Sequence, residues 1–427
     1  MTHRIHRRTL LGGGIGTLGA AALGPFARAS RDQNDNPTAP DAAAGPREPT
    51  YGDYTVIYDH YAEIPMADGH ILTDAPSLIR TTDGALLCSV PLMIRGTPKE
   101  PVGPLLFFRS EDDGRTWTKL PAESIFCAGT LFRHDQSLYF LGTGPVHRSD
   151  SNMQIIRSDD EGRSWSDPVT LFEGPFYNPA CAYVKRDGQF YWCCDTRRDT
   201  TYVIAGDLSR DLTDPDSWRI SDGLPIPPLP PSLTRGRGNA RILEGNVVDV
   251  NGRLQISWRY MIDMRDTVGI GVICDMEDDG QQLDYRFRMF HALPGAQNQF
   301  HIVHDDVTGL YWMNATLPTR SQDQDPEFNE FLRKNPHYGG PPGRERRILA
   351  LFCSFDALNW LPAGYLVVWP QVRQSSNYCG LLIDGDDLLV AARTSRQSRC
   401  QHDNDLTTFH RVRNFRERAA FLLPGNE

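Results

Sequence analysis

An all-β propeller is the fold class this sequence predicts, and three observations predict it. From Tyr51 onward, short β-rich runs close on Asp-Gly or Asn-Gly pairs, as at Asp83-Gly84, Asp187-Gly188, Asn251-Gly252 and Asp384-Gly385. Such pairs tolerate the positive φ of tight hairpin turns. No stretch carries the apolar periodicity of a long amphipathic helix, Pro326 to Lys334 being at most a short helical turn inside a loop. Finally, the pattern S-x-D-x-G-x-[ST]-W occurs twice, at Ser110 to Trp117 and Ser158 to Trp165, with the tryptophans 48 residues apart. A repeat of that period over the folded part allows six or seven blades.

The chain begins on a different pattern. Arg7-Arg8-Thr9-Leu10-Leu11 is a twin-arginine motif feeding a Gly/Ala/Leu-rich stretch, and Ala27-Arg28-Ala29 supplies small residues for cleavage. The apolar stretch from Leu10 to Gly24 is about 15 residues, short of the roughly 20 a bilayer span needs. Residues 1–29 therefore read as a twin-arginine export signal, with the Tat translocon as partner during export and a periplasmic or secreted destination. Residues 30–50, rich in Pro, Ala, Asp and Asn, read as a disordered linker, and residues 51–427 as the propeller. No later segment is long and apolar enough for a helical membrane span.

Charge narrows the partners. The chain has 44 basic and 54 acidic side chains, a net −10. Removing the signal, with its four arginines and no acid, makes this −14. An acidic protein without a basic run is ill suited to nucleic acid or anionic membranes. The nine cysteines show no C-x-x-C and no two histidines have metal-ligand spacing, so no metal and no cofactor is expected. An exported protein can form disulfides, but an odd count leaves at least one thiol free, and the pairing of Cys193-Cys194 stays open. A monomer is expected.

A third, degraded copy of the octapeptide is Ser354-Phe-Asp356-Ala-Leu-Asn-Trp360. The pattern resembles the Asp-box of the sialidase superfamily, or BNR-repeat proteins. The resemblance implies a six-bladed propeller in which each box is a turn between outer strands: Asp and Ser/Thr bind turn amides, Gly takes positive φ, and Trp packs between blades. Asp112, Asp160 and Asp356 are then structural rather than catalytic. Segments such as Phe300-His301, Leu310-Tyr-Trp312 and Thr408-Phe-His410 give the later part of the chain the flavour of bacterial exported sialidase-like proteins.

The resemblance also implies site residues: a tyrosine nucleophile activated by a glutamate, a carboxylic acid/base and three arginines clamping a substrate carboxylate. Glu244, followed by a hairpin that returns Arg259, matches the glutamate and second arginine. Arg346 lies eight residues before Ser354, where the third arginine is expected, with Arg347 as the neighbour that strand alternation sends to the other face. Tyr378, in Asn377-Tyr378-Cys379-Gly380-Leu381, matches the nucleophile segment. The first arginine is missing, because Asp74 stands in its place before Ala75-Pro76. Asp74 and Glu100 are the acid/base candidates. Arg95, Arg393 and His402 are further substrate contacts, whereas His301 and His410 read as structural.

The expected function is an exported exo-glycosidase, exo-α-sialidase-like, that hydrolyses a terminal and acidic sugar of a glycan. Two alternatives keep the same fold. One is a polysaccharide lyase acting at a uronic acid with His402 or Tyr378 as base; the other is a non-catalytic carbohydrate-binding propeller.

Overall fold

The computed structural model describes residues 53–60, 70–95, 102–144, 151–179, 182–196, 200–229, 241–262, 269–295, 297–319, 326–334, 345–371, 374–395, 401–402 and 404–419. The expected export signal and linker lie outside the described residues, as do Glu100, Cys181 and Cys400.

The strands form six antiparallel sheets. Blade I comprises His70–Thr73 and Ser77–Arg80, both on Leu86–Arg95, then Val102–Ser110 and Thr118–Ile125; blade II comprises Ala128–His134, Ser137–Thr143, Met153–Ser158 and Val169–Phe172. Blade III comprises Val184–Arg186, Gln189–Asp195, Thr200–Asp207 and Trp218–Ile220, with the short Leu224–Pro225 alongside. Blade IV runs Arg241–Val250, Arg253–Met261, Ile270–Asp278 and Leu283–Ala292; blade V runs His301–Asp305, Leu310–Thr316, Ile348–Ser354 and Leu361–Val368. Blade VI takes Ser375–Asp384, Asp387–Ser395 and Leu406–Val412 from the end of the chain and its outer strand, Tyr54–Asp59, from the beginning. That shared blade closes the ring and leaves no blade interface open.

The six buried apolar clusters lie one at each blade interface, from I–II around to VI–I. The alternation of each strand explains this: successive side chains point to opposite faces, so a strand feeds the clusters on both of its sides. Trp192, Trp258, Trp312 and Trp369 are fully buried in them. Pro326–Lys334 is the one α-helix among the described elements, 9 residues or about two and a half turns where a single short turn is expected.

The octapeptide turns take the expected form, each joining the third and fourth strands of its blade. Asp112 accepts from Ser110 Oγ at 2.8 Å and Thr116 N at 2.8 Å, while Ser110 Oγ accepts from Gly114 N at 2.8 Å, with Gly114 at φ 86°. Asp160 repeats this with Ser158 and Ser164. In the degraded copy Asp356 caps Leu358 N and Asn359 N, and Ala357 takes the positive φ that Asp113 and Glu161 take in the intact copies. Each tryptophan packs on the preceding blade, Trp117 against Phe409 and Trp165 stacked on Phe107 at 4.6 Å.

All seven described cysteines, Cys193 and Cys194 among them, are buried, and no disulfide joins two of the described ones. No helix among the described residues is long and apolar enough to cross a membrane, which says nothing of β-barrels.

Candidate active site at the propeller axis

From blade III through IV, V, VI and I to II, the first strands of successive blades touch around the axis, so whatever interrupts them there is brought together. Three of them are interrupted. In blade IV the register slips between Leu243 and Asn246, and Glu244 adopts φ 59°. In blade VI it slips between Asn377 and Gly380, and Tyr378 adopts φ 51°. In blade I the strand breaks at Asp74-Ala75-Pro76, between His70–Thr73 and Ser77–Arg80. A bulge re-aims the side chain it carries, and positive φ at residues other than glycine is a cost borne at specialised positions. Glu244 thus sits at a bulge inside the first strand of the hairpin expected to follow it.

The side chains meet. Tyr378 Oη donates to Glu244 Oε1 at 3.0 Å, and Arg259 Nη1 donates both to Tyr378 Oη at 3.0 Å and to Glu244 Oε2 at 2.5 Å. Arg259 Nε is held by the Gln297 carbonyl at 2.8 Å. All three groups are buried. Burial works against the charge on Arg259, but the Glu244 carboxylate and the Tyr378 phenol outweigh it and raise the guanidinium pKa.

Two more arginines flank the tyrosine. The guanidinium of Arg393 lies 5.0 Å from the centre of the Tyr378 ring and that of Arg346 5.9 Å, both within cation–π range. Arg346 is buried and Arg347 is turned to the Trp369 carbonyl, so the two side chains diverge, although both precede the strand that begins at Ile348. Arg393 Nη1 reaches Asp74 Oδ1 at 3.2 Å, and its Nη2 donates to the His402 carbonyl at 2.7 Å. The His402 ring stands edge-on to Tyr378 at 6.3 Å.

Asp74, Glu244, Arg259, Arg346, Tyr378, Arg393 and His402 therefore gather at one place from blades I, IV and VI and the segments before Ile348 and Leu406. Arg95 closes the second strand of blade I, and its side chain is not among those described. Sequence reading missed Asp195, buried at the end of its strand, whose Oδ2 accepts the backbone N–H of Glu244 at 2.9 Å. It also missed the positioning part of His301. That ring accepts the Leu381 N–H at Nδ1, at 2.9 Å, and ties blade V to the strand carrying Tyr378. No local pattern marks either residue, since the partners lie 49 and 80 positions away. His301 and His410 are otherwise the buried, hydrogen-bonded groups expected, and burial holds both near pKa 4. Among the described residues no group of His, Cys, Asp or Glu side chains is arranged to hold a metal ion.

Fold and site together define a six-bladed propeller with a buried tyrosine–glutamate–arginine cluster at its axis. Solved structures of this shape include a mutant sialidase of Trypanosoma rangeli displaying trans-sialidase activity (TM-score 0.54, 14% identity, 82% of this chain and 55% of that one). They include an α-L-arabinanase of Penicillium chrysogenum complexed with arabinobiose (TM-score 0.50, 12% identity, 85% and 98%). A protein of unknown function from Dyadobacter fermentans DSM 18053 is also similar (TM-score 0.52, 14% identity, 86% and 98%). The chain thus has the sialidase-like propeller fold, and it spans about 55% of the length of that sialidase. No family model and no curated protein matches the sequence.

Proposed function

We propose that the protein is a retaining exo-glycosidase that uses Tyr378 as nucleophile. The observation that carries this is the Tyr378 Oη to Glu244 Oε1 hydrogen bond of 3.0 Å with Arg259 Nη1 bonded to both partners. A phenol is a weak nucleophile until a base takes its proton and a cation stabilises the phenolate, and the cluster holds one of each. Fold similarity to a sialidase and an arabinanase supports a glycan substrate.

In the first step Tyr378 Oη bonds to the anomeric carbon and its proton passes to Glu244. The glycosidic C–O bond breaks, and the leaving oxygen takes a proton from a general acid. In the second step water attacks the anomeric carbon and gives a proton to the same acid/base group. The tyrosyl C–O bond then breaks, Tyr378 recovers its proton from Glu244, and the sugar leaves with its configuration retained. Asp74 is engaged with Arg393, which leaves Glu100, outside the described residues, as the acid/base candidate.

A 2-fluoro or 5-fluoro glycosyl donor trapped on the enzyme tests this. Peptide mass spectrometry is expected to find the sugar on the peptide carrying Tyr378. Inversion at the anomeric centre, or labelling elsewhere, removes the assignment. An unsaturated product absorbing in the ultraviolet would instead indicate a lyase.

A further inference from the structure

The buried charges around Tyr378 do not add up to a site for an acid. Arg259, Arg346 and Arg393 contribute three cations. Against them stand the carboxylates of Asp74, Glu244 and Asp195, the last bound to the Glu244 backbone, and all three are buried. Glu345, next to Arg346 in the chain and bonded to Thr319, is also buried, but its charge is met by Arg347 at 4.0 Å. Two of the three guanidiniums already hold a carboxylate within the cluster: Arg259 holds Glu244 at 2.5 Å and Arg393 holds Asp74 at 3.2 Å. A substrate carboxylate would enter a surrounding whose three cations are already balanced by three carboxylates, and the like charges would act at low dielectric.

What remains unmet in this cluster is polar but not cationic alone. Asp74 Oδ1 is satisfied by the Ala75 N–H and Arg393, whereas Asp74 Oδ2 is buried with no hydrogen-bond partner, and so is Arg393 Nε. Both residues are 1% exposed. A buried carboxylate oxygen without a donor is costly, and here it belongs to the same ion pair as an unused N–H. A hydroxyl can donate to the one and accept from the other.

We infer that the site takes an uncharged terminal sugar, gripped through its hydroxyls by Asp74 and Arg393, and that Asp74 determines this specificity. This rests on the glycosidase reading and names its substrate class, against the acidic sugar that the resemblance implies. Asp74 acts here as a hydroxyl acceptor that distinguishes neutral from acidic sugars, not as the proton donor.

The test uses the full chain and pairs of aryl glycosides differing only in carboxylate against hydroxymethyl, such as galacturonide and galactoside, with an aryl arabinofuranoside and an aryl sialoside beside them. The neutral member is expected to have the higher kcat/KM by about tenfold or more, from like-charge exclusion of the acid. Asp74→Asn is expected to lower kcat/KM on the neutral substrate about 30-fold, mostly through KM, and to narrow the neutral-over-acidic ratio. A merely structural role would leave that ratio unchanged. If Asp74→Asn does not fold, the paired substrates on the wild-type chain decide by themselves.

Preference for the acidic partner, or a ratio unmoved by Asp74→Asn, overturns the inference. If that acidic turnover is lost in Tyr378→Phe, the glycosidase reading stands while this inference falls. If no glycoside is cleaved, the glycosidase reading falls, and calorimetric titration with galactose, arabinose, galacturonic acid and sialic acid decides. Tighter binding of a neutral sugar supports the inference; tighter binding of an acid, or no binding, overturns it.

Discussion

The outer octapeptide turns and the axial cluster use the same two devices, a carboxylate and a residue other than glycine at positive φ, to opposite ends. In the turns, Asp112 and Asp160 bond to groups two to four residues away, and the left-handed positions fall on Asp113 and Glu161 where the chain reverses. At the axis, Glu244 and Asp74 bond to partners 15, 134 and 319 residues away, and the left-handed positions interrupt strands that could have continued. Local satisfaction yields a turn that closes a blade. Long-range satisfaction yields a cluster that exists only once all six blades have closed.

The largest effect that could break this contrast is on turnover. Tyr378→Phe and Glu244→Gln are each expected to lower kcat by about 1,000-fold or more with the circular dichroism spectrum unchanged, because each removes one partner of the nucleophile–base pair. Wild-type rates in both variants would make the axis as structural as the turns. Next comes the bulge. A Cβ on Gly245 would lie 2.6 Å from the Trp258 ring and 2.8 Å from Cys193 Sγ. Gly245→Ala is therefore expected to cost about 1–3 kcal/mol in denaturant unfolding and to lower kcat together with it, since displacement of the bulge re-aims Glu244.

Asp160→Ala sharpens the other side of the contrast. It removes the side chain that holds Ser158 Oγ, Ser164 N and Ser164 Oγ. It is expected to cost about 1–2 kcal/mol of stability while kcat on the wild-type substrate stays the same. A fall in kcat at constant stability would place this turn in the site.

The smallest effect is a separation by pH. Burial lowers His301 and His410 from 6.5 to about 4, so between those values the unfolded chain binds more protons than the folded one. Stability from these groups is present above pH 6.5 and is lost as pH falls toward 4. Asp112 is held at about 2, chiefly by its hydrogen bond to Thr116, so its contribution is present above its ordinary 3.8 and is lost only as pH falls toward 2. Unfolding free energies across pH 4–7 are expected to decline first through the histidines, and His301→Asn should flatten that decline. An unchanged slope would mean that His301 does not couple blades V and VI in this way.

How much could be read beforehand follows the same line. The Asp-Gly and Asn-Gly hairpins, the octapeptides and the gap of 48 residues are short-range patterns, and each led to the element it predicts. Glu244, Arg259, Arg346 and Tyr378 were legible only because neighbouring motifs set their register. Nothing near Asp195 or His301 announces that one holds Glu244 and the other the Tyr378 strand. The Asp74 substitution was visible as a missing arginine, but its partner was not.

By itself the sequence determined the all-β repeat, the turns that close the blades and the types of side chain available to the axis, because those depend on contacts within a few residues. Tertiary structure decided that blade VI is shared between the two ends of the chain and that three interrupted strands aim at one point. It also decided that Arg393 is neutralised by Asp74 from 319 positions away. The physical reason is range: a turn amide finds its acceptor along the chain, whereas a buried charge is compensated by whatever the closed ring brings beside it.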